Sequence, residues 1–165
     1  CTLGIASCLL GLHNLDAARH SAEEARQVFK ELNRNIYLID CDTILGYTAL
    51  EEVDLEMAWD YFRQGLQTAV ANSVQQKLGV LYTGLGGIAL RRGKLHEAAR
   101  WFGISESTIT STGYYARFFP EATSNRYIAE ARSLLDPQSF QIAMEEGQAM
   151  SVEQAIALAL DEAYE

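Results

Sequence analysis

The chain has 165 residues, a formal net charge of −9 and 48% apolar residues. That length allows one domain with a sizeable core or a short repeat array, and the apolar content excludes wholesale disorder. An acidic chain has no electrostatic footprint for DNA or RNA, so no direct nucleic-acid contact is expected.

The three cysteines, Cys1, Cys8 and Cys41, are odd in number and form no Cys-x-x-Cys pair. They signal neither a disulfide framework nor a zinc site, and reduced thiols in a cytoplasmic protein are expected. No apolar run reaches the roughly 18 residues of a membrane span, and no signal peptide is expected, since no charged leader with a cleavage site is read. Beginning at Cys1 rather than Met, the chain reads as a fragment of a longer protein. The only prolines are Pro120 and Pro137, which leaves residues 1–119 free to form long helices. Ala, Leu, Glu and Gln are abundant, and the prediction is an all-α chain.

The organising signal is a period of 40. Ile5, Leu45 and Leu85 share a register, each followed by a small residue, Ala6, Gly46 or Gly86. Leu9, Ala49 and Ala89 follow, then Leu15, Leu55 and Leu95, then Ala18, Ala58 and Ala98, then Ala22, Phe62 and Phe102. Each unit reads as a helical hairpin that buries its apolar face only by stacking on a neighbour. The small residues let paired helices approach closely, with Gly86 and Ala98 expected at the closest helix contact of the third unit.

Taken in order, the first unit predicts helices over about 2–12 and 15–32, with His13-Asn14 as the turn and Asn33-Arg34-Asn35 as a break. The second predicts helices over about 36–52 and 55–71, with Asp54 as N-cap and Ser73 able to cap the next helix. The third predicts helices over about 74–92 and 95–109, separated by a C′ glycine, Gly93. From 103 to 119 the sequence turns polar, through Ser105, Ser107, Thr108, Thr110, Ser111 and Thr112. It then turns aromatic at Tyr114, Tyr115, Phe118 and Phe119. This stretch reads as a connector whose aromatic cluster docks on the last unit. Three more helices are predicted, to about Leu135, over 137–146 and over 152–164, with Asp136-Pro137 and Ser151/Gln154 as N-terminal signals. Residues 1–110 are thus three repeats, and 111–165 a connector and a three-helix C-terminal cap.

The columns resemble the tetratricopeptide repeat: Leu45-Gly46 and Leu85-Gly86, the Gly93-to-Ala98 turn, and Phe102 beyond it. The period is 40 rather than the usual 34, Ile5-Ala6 replaces Leu-Gly, and only the third unit keeps the turn glycine. Phe140, Gly147, Met150-Ser151, Ala155 and Ala159-Leu160, with Ala99 to Gly103, look like the closing segment of bacterial LuxR/MalT-like signal-transduction ATPases and related kinases or cyclases. The resemblance implies a right-handed α-solenoid of antiparallel helix pairs. It also implies a role as the effector-sensing, protein-interaction module of a transcriptional or signalling regulator. The partner would be a protein or peptide segment, or a small effector; no cofactor is implied, and an oligomer is compatible.

In such arrays the first helix of each pair lines a concave face. The register places Ser7, Asp40, Thr43, Tyr47, Glu51, Thr83, Gly87 and Arg91 there, as a ligand groove or as a plain solvated face. Asp40, Thr43, Tyr47, Glu51, Thr83 and Arg91 are the candidate groove residues.

Catalytic or metal chemistry is not signalled. Gly86-Gly87…Gly93-Lys94-Leu95 lacks the spacing and hydroxyl of a phosphate loop. His13, His20 and His96 are far apart and read as solvated, and Cys8 has no histidine partner. The acidic run Glu51-Glu52, Asp54 and Glu56 reads as a solvated face beside a helix N-terminus. An alternative function is a structural spacer or oligomerisation scaffold with no ligand of its own.

Overall fold

The structure, a computed structural model, describes residues 2–113 and 121–161. They are helical, with no strand among them. The helices are α1 (Thr2–Gly11), α2 (Leu15–Glu31), α3 (Asn35–Glu51), α4 (Leu55–Ala71), α5 (Leu78–Arg91), α6 (Leu95–Thr112), α7 (Glu121–Leu134), α8 (Pro137–Gln148) and α9 (Val152–Asp161). A short 3-10 turn, Gln75–Lys77, leads into α5. No helix is long and apolar enough to cross a membrane.

One backbone device sets the helix lengths. His13, Asn33, Val53, Ser73, Gly93 and Gly113 all have positive φ, between 53° and 75°, and they are spaced 20 residues apart. At the first five, paired bonds close the helix in a Schellman motif, as in Asp54 N–H to Ala49 O at 2.9 Å and Val53 N–H to Leu50 O at 3.2 Å. Gly93 is the C′ glycine the sequence predicts. The four stops at His13, Asn33, Val53 and Ser73 escape a glycine search because other residues occupy the same left-handed position. Ser73 is consumed as a helix stop, so the cap expected of it is absent, and Val74 precedes the 3-10 turn with no side-chain cap.

Other caps match their signals. Asp54 Oδ1 accepts from Met57 N–H at 3.0 Å, and Asp136 Oδ1 from Ser139 N–H at 3.0 Å. Ser151 and Gln154 bond reciprocally at 2.9 and 3.2 Å. The polar stretch after 103 departs from expectation: α6 runs on to Thr112. Its hydroxyls bond back to carbonyls within the helix, Thr108 to Ile104 and Thr112 to Thr108, both at 2.8 Å. The aromatic cluster Tyr114–Phe119 lies outside the described residues.

The glycine of the 40-residue column has a concrete partner in the second and third units. A Cβ on Gly46 would sit 2.6 Å from the Phe62 ring, and one on Gly86 would sit 2.4 Å from the Phe102 ring. The Phe62 ring also reaches Gly84 of the next unit, where a Cβ would lie 2.4 Å from its tip. Each ring therefore fills a notch that only glycine leaves open. Outside the repeat pairs, α6 and α8 cross with their backbones in close approach, where a Cβ on Gly103 would be 2.1 Å from Met144 O and one on Gly147 would be 2.0 Å from Arg100 O.

Neighbouring helices pack in sequence from α1 to α6. While α8 packs on α6, α9 reaches back to α4, and α7 lies against α5 and α6. Tyr127 and Ala131 of α7 are fully buried.

Candidate functional site

Spacings of three and four put Asp40, Thr43, Tyr47 and Glu51 on one face of α3, and Thr83, Gly87 and Arg91 on one face of α5. The structure brings Tyr47, Glu51, Gly87 and Arg91 together, but not around an open groove, because α7 covers them.

Tyr127 is the centre of this contact. Its ring lies 6.2 Å from that of Tyr47 and beside Gly87, where a Cβ would be 3.7 Å away. Its hydroxyl donates to Glu51 Oε1, which Arg126 also engages. The Arg91 guanidinium stands 5.1 Å over the Tyr127 ring and donates to Glu130 Oε1 at 2.5 Å. His13 Nδ1 approaches Glu51 Oε2 at 3.5 Å. Glu51 is thus drawn out of the solvated acidic run expected for it: its side chain is only 7% exposed. Its neighbour Glu52 pairs with Arg19.

Burial first, then the adjacent Glu51 carboxylate, raises the pKa of the Tyr127 phenol. The Arg91 pKa is raised chiefly by its hydrogen bond to Glu130. At neutral pH both groups therefore hold the protons the contact requires.

The other candidates are internal. Tyr47 is fully buried, meets Phe62 edge-on at 5.1 Å and donates to Val80 O at 3.0 Å. Thr43 is buried and bonds to Ile39 O at 2.7 Å. Thr83 is buried and shares a hydroxyl pair with Ser105 at 2.7 Å, tying α5 to α6. Asp40 pairs with Lys77 at 2.5 Å, and one of its carboxylate oxygens, Oδ2, is buried without a hydrogen bond. Thr43, Tyr47 and Thr83 are thus buried among the packed helices; Ser7, on α1, is half-buried.

Sequence reasoning missed Tyr127, Arg126 and Glu130, because nothing in α7 marks it as the cover of an earlier face. It also missed the Arg26–Asp42 pair at 2.6 Å between α2 and α3. Asp40 and Asp42 both have raised pKa values, from burial first, with Lys77 and Arg26 pulling the other way. The Cys41 thiol between them is pushed up to about 12, mainly by burial, so it carries negligible thiolate at neutral pH. Among the described residues, no group of three His, Cys, Asp or Glu side chains could hold a metal ion.

No protein-family model matches the chain, and neither the curated proteins nor the solved structures yield a match.

Proposed function

We propose that the chain is a non-catalytic interaction module: a right-handed α-solenoid of antiparallel, tetratricopeptide-like helix pairs from a cytoplasmic bacterial regulator of the LuxR/MalT-like kind. The observation that carries this is the double periodicity. Side-chain columns recur every 40 residues, and left-handed helix stops every 20. Units built this way bury their faces only against neighbours and present one continuous surface to partners.

That surface holds α7, through an arginine–tyrosine pair reaching a mostly buried carboxylate. A partner segment with the same chemistry would compete for it, as helices compete for grooves elsewhere. The module then senses a protein or peptide, or a small effector, by exchange with α7. Burial of Thr43, Tyr47 and Thr83 favours a second reading, in which the face is permanently filled. The array would then be a spacer or oligomerisation scaffold of a multidomain ATPase, kinase or cyclase.

A labelled peptide of residues 121–135 separates the two. Under the exchange reading, the full chain carrying Tyr127→Ala binds it with a Kd of about 10–100 μM. The unsubstituted chain binds at least tenfold more weakly, and Glu51→Ala removes the gain. A folded Tyr127→Ala chain that ignores the peptide supports the spacer.

A further inference from the structure

Each 40-residue unit has a left-handed stop at the turn between its two helices: His13, Val53 and Gly93. The conformation calls for no imidazole. Gly93 adopts it without strain, and an asparagine, Asn33, adopts it at another stop. Of the three turn residues only His13 can titrate. Its Nδ1 stands 3.5 Å from Oε2 of Glu51, the carboxylate that holds α7.

That carboxylate has two oxygens and three claimants. Oε1 takes Arg126 and Tyr127 of α7, and Oε2 faces His13 of the α1–α2 turn. The Glu51 side chain is mostly buried, so water screens the contact only in part, whereas His13 is open to solvent and to protons. The other charged groups around it are committed. Arg91 of α5, close enough to feel the Glu51 charge, pairs with Glu130 of α7. Glu52 of α3 pairs with Arg19 of α2, and Asp16 lies in the first turn of α2. The Tyr127 phenol keeps its proton because burial raises its pKa, and an arginine such as Arg126 keeps its charge. Between about pH 7.5 and about pH 5.5 imidazole is the side chain that ordinarily changes charge, and this range lies above that of ordinary glutamates. Among the described residues of the contact, His13 is therefore the group whose charge follows pH.

The sign follows from the shared carboxylate. With His13 neutral, Arg126 is the cation that α7 brings to Glu51. With His13 charged, docked α7 places a second cation on the same carboxylate, and the two repel. The undocked state meanwhile gains a cation of its own for Glu51. Both effects favour release. We propose that His13 is a proton-operated release for α7: once charged, it competes with Arg126 for Glu51 and loosens the helix in mild acid. The inference rests on the α7 contact, as the exchange reading does, but it needs no partner, because the proton acts on the chain's own helix.

Hydrogen–deuterium exchange of the full chain tests it, with protection of residues 121–134 corrected for the intrinsic pH dependence of amide exchange. Lowering the pH from about 7.5 to about 5.5 should cut that protection about fivefold, the scale of one like-charge repulsion at a partly screened contact. His13→Asn, which keeps the left-handed stop, should hold α7 protection constant over the same range. Arg126→Gln, which removes the competitor, should lose most of the pH response. His96→Asn, at the Glu146 contact of α8, should retain it. Unchanged or increased protection of α7 in acid overturns the proposal, as does an equal loss in His13→Asn. A loss spread evenly over α3, α5 and α7 also overturns it, because acid would then be opening the whole array. If the response holds while the labelled 121–135 peptide fails to bind, the exchange reading falls and the proton release stands.

Discussion

Two sets of glycines hold this molecule together, and they work differently. At Gly46, Gly84 and Gly86 the missing Cβ makes room for an aromatic ring. At Gly103 and Gly147 it makes room for main-chain carbonyls of the facing helix. A ring can tilt or be trimmed, whereas a carbonyl moves only with its helix. The repeats are therefore joined by replaceable side-chain packing, and the α6–α8 crossing by backbone contact that tolerates no side chain.

Gly147→Ala should show the largest effect. Relief of the contact with Arg100 O requires the helices to separate. That costs about 3 kcal/mol and lowers the melting temperature by roughly 10 °C. Truncating any single neighbouring side chain should not restore it. A loss below about 1 kcal/mol in thermal or urea unfolding would remove the distinction between the two sets.

Gly86→Ala comes next. Pressing on the Phe102 ring should cost about 2 kcal/mol. Adding Phe102→Leu should recover about 1 kcal/mol of it, measured as a coupling in a double-mutant cycle. Additive losses would mean that the ring is not what the glycine accommodates.

The smallest effect is a gain. Val53 is β-branched, 63% exposed and held at φ 62°, where an L side chain is strained. Val53→Gly should raise stability by about 1 kcal/mol, the difference between that strain and the extra chain entropy of glycine. An unchanged urea midpoint would show that the turn relaxes around valine.

Much of the architecture was legible because its causes are local. Asp54, Asp136 and Ser151 with Gln154 cap helices through bonds that span three residues, and sequence spacing reveals those. The polar tail of α6 misled because serine and threonine signal a loop unless carbonyls four residues back take their hydroxyls, as Ile104 and Thr108 do here. The groove was the least legible part. Tyr47 and Glu51 lie on one face of α3, and that face is covered by Tyr127, some 76 residues from Glu51 along the chain. The Arg26–Asp42 and Asp40–Lys77 pairs are hidden for the same reason: they join different helices.

The evenly spaced helix stops carry a consequence for how such a chain can change length. With a left-handed residue every 20 positions, α2, α3 and α4 are each held to 17 residues, or about 25 Å. A single inserted residue would turn every later side chain of its helix by about 100° and lift the Phe rings from their notches. Insertion or loss of a whole pair would leave each ring opposite a glycine. The chain is therefore tolerant of growth by whole helical hairpins and intolerant of growth by single residues.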